Sequence, residues 1–221
     1  MKMKRTEAKK KIEEIIDEVD SYLKTIDLAR EEIVKISREV IRNSGWSITE
    51  IHKGEMIEAK KYLDLCRNFA MRLQEVAKPH PEIANSGLVY NAISEYVEAE
   101  IFFNIIEHRY IPSFKELNVH PIPYLQGIGD VIGELRRYML ELIRKGKLKP
   151  AWEFMDIMES IYLQLRNLDY PDAIIPGVRH KSDVARALID ATKSMLVDLQ
   201  SREDFKKIFS EKERGKKCGG K

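Results

Sequence analysis

An apolar stripe with helical spacing runs through the N-terminal segment over an unusual length. Its members follow one another at steps of three and four residues without interruption: Ile12, Ile15, Val19, Tyr22, Ile26, Ala29, Ile33, Ile36 and Val40. Because residues three and four apart share one face of an α-helix, the pattern predicts a helix over residues 6–43 that packs against other helices. At about 1.5 Å per residue, this helix would be roughly 55 Å long. The stripe therefore restricts the chain to helical folds with one long member.

Proline and glycine separate further helical segments in the rest of the chain. Asn43-Ser44-Gly45 is expected to end the first helix, and Ser47-Ile48-Thr49-Glu50 has the spacing of a capping box that starts the second. No run of alternating β-branched residues predicts a strand. We expect an all-α antiparallel bundle of six or seven helices, the later ones at about residues 47–77, 81–109 or 91–109, 124–145, 150–168 and 182–210. Residues 1–210 would form a single domain, and residues 211–221 a disordered basic tail.

Composition and charge exclude several functional classes. With 38 Lys and Arg against 36 Asp and Glu, the net charge is +2, so the chain has no overall field that would attract nucleic acid or an anionic membrane. Cys66 and Cys218 give neither a disulfide framework nor a metal-ligand spacing, which fits a reducing, cytoplasmic setting. No apolar run reaches the roughly 18 to 20 residues that span a bilayer, so we expect no membrane partner. Any site for a polyanion must be local.

Two glutamates share a helical face with apolar residues in the third long segment. At about 100° per residue, Glu98 falls about 60° from Glu95, on the side that also carries Phe102 and Ile105. Glu100 falls on the opposite side, where a surface glutamate is expected. Burying a carboxylate among apolar side chains is costly unless a cation or hydrogen bonds compensate. The pair therefore indicates a bound metal or a basic partner.

A second acidic row, Asp130 and Glu134, lies in the following segment together with Arg137. At steps of four and three residues, the row is ordinarily interpreted as a salt-bridged surface. Each glycine inside a helix costs about 1 kcal/mol, which argues for a special role where several occur together. Three lie within about two turns of this segment: Gly127, Gly129 and Gly133. We expect another backbone or a ligand to come close there, so that the acidic row faces a groove.

Other residue patterns of known chemistry are missing from the sequence. It contains no P-loop, no GxGxxG and no zinc-type Cys/His spacing. His52 and His80 are isolated and are not expected to be ligands, and Cys66 is expected to be a small core residue.

The acidic segments carry a resemblance to the translin superfamily. The first motif is Ser94-Glu95-Tyr96-Val97-Glu98-Ala99, and the second is Tyr124-Leu125-Gln126-Gly127-Ile128-Gly129-Asp130-Val131-Ile132-Gly133-Glu134-Leu135-Arg136-Arg137. Residues 33–40 and Lys181-Ser182-Asp183-Val184 add to the similarity, which extends over nearly the whole chain up to the tail. The chain is most similar to the translin-associated factor X branch, because translin proper has lost the aspartate at the position of Asp130.

This resemblance implies a fold of about seven helices that assembles into a hollow octamer. It also implies a Mg²⁺-dependent endoribonuclease, with Mn²⁺ as a substitute, in which Glu95, Glu98, Asp130 and Glu134 stand at the family's acidic positions. Mg²⁺ prefers oxygen ligands, so Glu98, Asp130 and Glu134 are the expected metal ligands, and Glu95 is a ligand or the general base. We expect a self-sufficient homo-octamer, without the separate translin partner of the eukaryotic factor.

RNA is the expected ligand, and single-stranded DNA is an alternative. Arginine binds phosphate through a planar fork, and five arginines are candidates for this contact: Arg38, Arg42, Arg136, Arg137 and Arg179. Each of them alone could equally be a surface salt-bridge residue. Two rival interpretations stay open, a non-catalytic single-stranded nucleic-acid-binding protein of translin type and a helical scaffold without nucleic acid. Asp130 is the feature that separates the first rival from the enzyme.

Overall fold

The structure is a computed structural model that describes residues 5–218, with side chains over residues 7–209. This part of the chain contains seven α-helices and no strand, so the all-α prediction is confirmed. The helices are α1 (Arg5–Lys53), α2 (Met56–Ala77), α3 (Pro81–Ala84), α4 (Gly87–His108), α5 (Pro121–Arg144), α6 (Leu148–Arg166) and α7 (Val178–Cys218). The long first member is α1, whose 49 residues extend over about 73 Å.

The prediction that the first helix ends near Gly45 is wrong. Helix α1 continues to Lys53, and the break falls at Gly54, whose φ of +87° is a left-handed conformation that favours glycine. A single glycine inside a helix costs only about 1 kcal/mol, and the buried neighbours Ser44 and Ile48 hold the helix against the core on both sides of Gly45. Instead of capping a second helix, the Ser47 hydroxyl donates to the Ala59 carbonyl of α2 at 3.0 Å.

The later helices agree with the sequence prediction in their order, whereas the bounds of α2, α3, α4 and α7 differ from it. The segment predicted to begin at residue 81 or 91 divides into the short α3 and the long α4, with a turn at residues 85–86 between them. Helix α7 begins at Val178, earlier than residue 182, after a loop that closes at Gly177 with a φ of +74°.

The chain divides into two compact units, Met1–Ala99 and Glu100–Lys221, and the boundary falls inside α4. In the first unit, α1 and α2 form an antiparallel hairpin. Partners descend along α1 while they ascend along α2: Ser47 with the Ala59 carbonyl, the Val40 carbonyl with Cys66, and Glu32 with Arg72. The hairpin is closed by buried apolar side chains from both helices, including Ile33, Ile36, Ile51, Leu63, Cys66 and Leu73. Cys66 is thus a core residue, as predicted. The single domain expected over residues 1–210 stays a prediction.

The N-terminal half of α1 contributes no buried side chain to this core. Its apolar residues continue the helical stripe but are exposed: Ile12, Ile15, Ile16, Val19, Tyr22, Leu23 and Leu28. The stripe predicted from the sequence therefore packs inside the chain only from Ile33 onward.

In the second unit, α5, α6 and α7 pack against one another around a shared apolar core. Its fully buried members include Ile132, Leu135, Met139, Met155, Met158 and Leu196. Polar contacts also tie α7 to both neighbours. Lys193 forms an ion pair with Glu159 of α6 at 2.7 Å, and the Arg136 Nε of α5 donates to the Thr192 hydroxyl at 3.0 Å.

The disordered tail predicted for residues 211–221 overlaps the end of α7, whose backbone is helical to Cys218, and residues 219–221 lie outside the described residues. Within the described chain, every helix is too short or too polar to cross a bilayer.

Candidate functional site

The first acidic pair, Glu95 and Glu98, lies on α4 within the first unit. Glu98 is only 8% exposed, and Glu95 is half-buried. The Ser44 hydroxyl of α1, itself fully buried, donates to Glu95 Oε2 at 3.4 Å. The antiparallel hairpin positions Ser44, because this part of α1 faces the interior. The structure therefore confirms that both acids are withdrawn from solvent.

Glu100 is not the surface residue that the helical projection indicated. It is 1% exposed, although it lies on the opposite side of α4 from Glu95. The Asn104 side chain donates to its carbonyl oxygen at 2.8 Å and lies 3.5 Å from its Oε2. The physical reason is that α4 is buried around its whole circumference, with every residue from Tyr96 to Phe103 below 9% exposure. Projection identifies a solvent face only where a helix has one.

Asp130, on α5 in the second unit, is bound to the side chain of Lys181 on α7. The Lys181 ammonium donates to both carboxylate oxygens, with a distance of 2.6 Å to Oδ1. The two side chains are 27% and 31% exposed, so the pair is neither buried nor fully solvated. Charge-assisted bonds of this kind are stronger than bonds between neutral groups. Asp130 therefore holds a cation from its own chain.

Glu134 lies one turn after Asp130 and pairs with Arg137 at 3.8 Å. Its side chain is 24% exposed, whereas that of Arg137 is 61% exposed. The ion pair agrees with the ordinary interpretation of the acidic row as salt-bridged. The low exposure of Glu134 does not agree with it, because a purely solvated row leaves its carboxylates open to water.

The glycines of α5 differ in what surrounds them. A β-carbon on Gly129 would stand 3.2 Å from the Lys181 β-carbon and 3.4 Å from its δ-carbon, with Leu165 behind at 3.6 Å. At Gly133 the space is open, because no heavy atom of the described residues comes within 4 Å of such a carbon beyond the helix itself. A close approach therefore occurs at Gly129, but it is made by a side chain of α7 and not by the backbone or ligand that we expected.

Among the described residues, no group of three or more His, Cys, Asp or Glu side chains is placed to hold a metal ion. Of the four predicted acids, Glu95 and Glu98 belong to the first unit, and Asp130 and Glu134 belong to the second.

The five arginines predicted to contact RNA have different environments. Arg38 is exposed, and Arg42 pairs with Glu39 and lies over the Trp46 ring at 5.1 Å. Arg136 is half-buried and engaged with Thr192, which makes it a link between helices. Arg137 is paired with Glu134, and Arg179 is exposed.

Arg179 lines a groove of about 220 Å³ within the second unit. The groove lies between the end of α6, the following loop and the start of α7, and it also contains Arg166, Tyr170, Asp169 and Asp183. Two guanidinium groups and an aromatic ring provide phosphate contacts and a stacking surface, while the two carboxylates limit the net positive charge. Of the five predicted arginines, Arg179 is the one that lines this groove.

The surroundings of two residues were missed in the sequence analysis. Glu100 was assigned to the surface, and Lys181 was noted only within the Lys181-Ser182-Asp183-Val184 motif. The sequence offers no spacing that connects Lys181 to Asp130, because they are 51 residues apart and meet through the packing of α7 on α5. The glycine at position 129 was the sequence signal that another group packs closely against the helix there.

Comparisons with known proteins give one curated relative and several solved structures. No family model matches the chain. The chain is 34% identical over 194 residues to the uncharacterized protein MJ0175 of Methanocaldococcus jannaschii, and the match covers 85% of this chain and 86% of that protein.

Among solved structures, the chain is similar to AfC3PO and NeC3PO, which are translin-family complexes. A complex of AfC3PO with duplex RNA gives a TM-score of 0.77 at 33% identity, over 85% of this chain and 97% of that one. A structure of AfC3PO gives 0.77 at 34% identity, with the same coverage of 85% and 97%. The apo form of NeC3PO gives 0.75 at 27% identity, over 82% and 95%.

Proposed function

The chain belongs to the translin superfamily, and from this premise we propose that it is a Mg²⁺-dependent endoribonuclease of the factor X branch. One observation carries the proposal. All four acidic positions of the family motifs hold carboxylates, and none of them is fully exposed: Glu95, Glu98, Asp130 and Glu134. A helical scaffold without nucleic acid would leave such residues on the open surface, which does not account for the burial of Glu98 or the low exposure of the other three.

The donor chemistry of these residues fits a hard divalent cation. Mg²⁺ is bound in proteins by a few carboxylate oxygens together with water and substrate phosphate. Asp130 already accepts a cationic group on both of its oxygens, so its carboxylate is oriented to receive positive charge. When bound, Mg²⁺ supplies Lewis-acid polarisation of the phosphodiester and neutralises negative charge on it.

The side chains of the chain then take separate roles. Glu98, Asp130 and Glu134 would hold the metal, and Glu95 would be either a further ligand or the general base. The hydroxyl of Ser44 contacts one oxygen of Glu95 at 3.4 Å. Mn²⁺ is expected to substitute for Mg²⁺, because the same oxygen ligands suit both ions.

RNA is the proposed substrate, and its contacts come from arginines that the fold leaves available. AfC3PO has been solved with duplex RNA, so duplex as well as single-stranded RNA is a candidate for this chain. Arg179 is the strongest phosphate contact, because it is exposed and lines a groove with Arg166. Arg38 and Arg42 are further candidates on α1, and Arg136 is the weakest because Thr192 engages it.

A homo-octamer is the proposed assembly, and the exposed stripe of α1 supports association. Its apolar residues from Ile12 to Leu23 recur at helical spacing, so they form a continuous face along one side of the helix. Monomeric proteins rarely expose contiguous apolar surface of this kind. A second copy of the same chain would cover it.

A non-catalytic nucleic-acid-binding protein is the second candidate, and the ion pairs of α5 favour it. Lys181 forms an ion pair with Asp130, and Arg137 forms an ion pair with Glu134. If those pairs persist in solution, the carboxylates are neutralised without metal, and the protein would bind RNA without cutting it.

Cleavage of labelled RNA separates the candidates. Purified protein is incubated with single-stranded or duplex RNA and Mg²⁺, beside Glu98→Ala and Asp130→Asn. We expect the wild type to cut and both variants to lose about a hundredfold or more of the rate while still binding RNA. The control is Glu141→Gln, which changes a partly exposed acid of α5 that pairs with Arg144, and this variant should cut normally. Binding without cutting by the wild type supports the second candidate, and normal cutting by Asp130→Asn refutes the site.

A further inference from the structure

The Lys181–Asp130 pair crosses between two helices and is confined on its apolar side. The stem of Lys181 runs over Gly129. Because Gly129 has no side chain, the lysine β- and δ-carbons can lie close to α5 at this point. Leu165 of α6 lies on the same side, 3.6 Å from where a β-carbon of residue 129 would be. The long stem is therefore guided toward the carboxylate, whereas a lysine on an open surface is free to sample many rotamers.

The start of α7 is itself anchored to α5. The Gln126 side chain donates to the Pro176 carbonyl at 2.7 Å, and the Gly177 N–H donates to Asp172 at 2.9 Å. Gly177 in turn accepts the backbone N–H of Lys181 at 3.1 Å. These contacts set the position of Lys181 along α5, so its meeting with Asp130 follows from the packing of the two helices.

A metal ion and the lysine ammonium compete for the same two oxygens. Lys181 engages both Asp130 oxygens, and a divalent cation bound through Asp130 needs at least one of them. Two positive charges at hydrogen-bonding distance from one carboxylate also repel each other. Metal binding at Asp130 therefore favours a movement of the ammonium away from the carboxylate, and the flexible end of the lysine chain permits this.

We propose that Lys181 is the resident counter-ion of Asp130, which a divalent metal displaces, and that the released ammonium then binds a phosphate of the RNA. The inference rests on the proposed function and deepens it, because it couples metal binding to RNA binding through one side chain. A displaced ammonium is a compact charge with three hydrogen-bond donors. The lysine stem still packs over Gly129, which keeps the ammonium beside the acidic row. The ion pair thus neutralises Asp130 while no metal is bound. When metal is bound, the Lys181 ammonium becomes a contact for phosphate.

The first test measures Mn²⁺ binding by titration calorimetry, in the absence of RNA. Removing the competing charge with Lys181→Met keeps most of the stem over Gly129 and should raise the Mn²⁺ affinity about fivefold to tenfold, because the competing state no longer lowers the apparent affinity. Lys181→Arg keeps the charge and should stay close to the wild type. The matched control is Lys193→Met, which breaks another ion pair of α7, that with Glu159, and should leave the Mn²⁺ affinity unchanged.

The second test measures the affinity for a 2′-O-methyl RNA oligonucleotide, whose intactness is checked after each titration. With saturating Mn²⁺, Lys181→Met should bind about fivefold more weakly than the wild type, which corresponds to one lost charge contact. With EDTA instead, the two proteins should bind equally to within about twofold, because the lysine is then held by Asp130.

The possible outcomes separate this inference from the proposed function. If the wild type binds no Mn²⁺, the metal site and the displacement both fail. If the wild type binds Mn²⁺ and Lys181→Met has the same affinity, only the displacement fails. A loss of RNA affinity that is equal with Mn²⁺ and with EDTA would also overturn it, because Lys181 would then be a constant contact. Unchanged circular dichroism of Lys181→Met and Lys181→Arg verifies that both variants fold.

Discussion

Lys181 lies across Gly129 so closely that a β-carbon on residue 129 would stand 3.2 Å from the lysine β-carbon. One turn later on the same helix, Gly133 has open space at the corresponding place. Gly129 and Gly133 therefore offer a direct comparison between a glycine in close contact with another side chain and a glycine with open space beside it.

The matched substitutions Gly129→Ala and Gly133→Ala should differ in stability. In an open helix interior, alanine is favoured over glycine, so Gly133→Ala should raise the free energy of unfolding by about 0.5–1 kcal/mol. At residue 129 the same gain is opposed by the displacement of Lys181, so we expect Gly129→Ala to be less stable than Gly133→Ala by about 1 kcal/mol. Urea unfolding followed by circular dichroism measures both, and equal stabilities would contradict the close packing.

Arg136 and Arg179 should separate a structural arginine from an RNA contact. Arg136→Gln removes a charge-assisted bond to the buried Thr192 hydroxyl and should lower the free energy of unfolding by about 1–2 kcal/mol, with little change in RNA affinity. Arg179→Gln should do the reverse, because its side chain is exposed in the groove. Thermal unfolding and RNA titration of both variants provide the comparison. A loss of RNA affinity confined to Arg136→Gln would reverse the assignment.

The apolar face of α1 should control assembly without affecting the fold of the single chain. Replacing Ile15 and Val19 together by lysine places two charges on that face, so we expect light scattering to give a mass below that of the wild-type oligomer, with unchanged helical content. The control is Glu14→Gln with Asp17→Asn, which changes the charge by the same amount on the opposite face. A wild-type mass for the lysine variant would show that another surface holds the chains together.

Glu116 should make stability depend on pH below its ordinary pKa. Hydrogen bonds from the Ser113 hydroxyl, the Tyr110 hydroxyl and the Ser113 N–H lower the pKa of Glu116 from 4.5 to about 2. Because the folded-state pKa is lowered, the stabilisation is complete above about pH 4.5 and is lost as the pH falls toward 2.

Glu116→Gln should therefore have a lower Tm than the wild type at neutral pH, and the difference should shrink between about pH 4.5 and 2. The measurement is thermal unfolding over pH 2–7, with Glu107→Gln, an exposed glutamate of α4, as the control for loss of one charge. A Tm difference that stays constant over this range would contradict the hydrogen-bonded state of Glu116.

The ends of the long first helix show how local patterns mislead. Local patterns predict a helix boundary at Asn43-Ser44-Gly45 and at the capping box that follows. Helix α1 nevertheless continues to Lys53. The signals are worth about 1 kcal/mol each, whereas the buried residues on both sides of Gly45 contribute several times as much through packing on α2. Gly54, which lies inside the segment predicted as the second helix, is where the left-handed turn occurs.

Much of this protein was determined by the sequence alone. Helical periodicity predicted an all-α chain with one long member, because spacing at three and four residues is a property of the helix itself. The resemblance of the acidic motifs to the translin superfamily likewise identified the family and the four carboxylates of the proposed site.

Only the tertiary structure decided which side chains meet. It placed Lys181 on Asp130 and Thr192 on Arg136, and it buried Glu100 on a stretch of α4 that has no solvent face. It also left the first half of the α1 stripe uncovered. Each of these depends on contacts between segments far apart in the chain, and the free energy of such contacts comes from packing that a single segment does not encode.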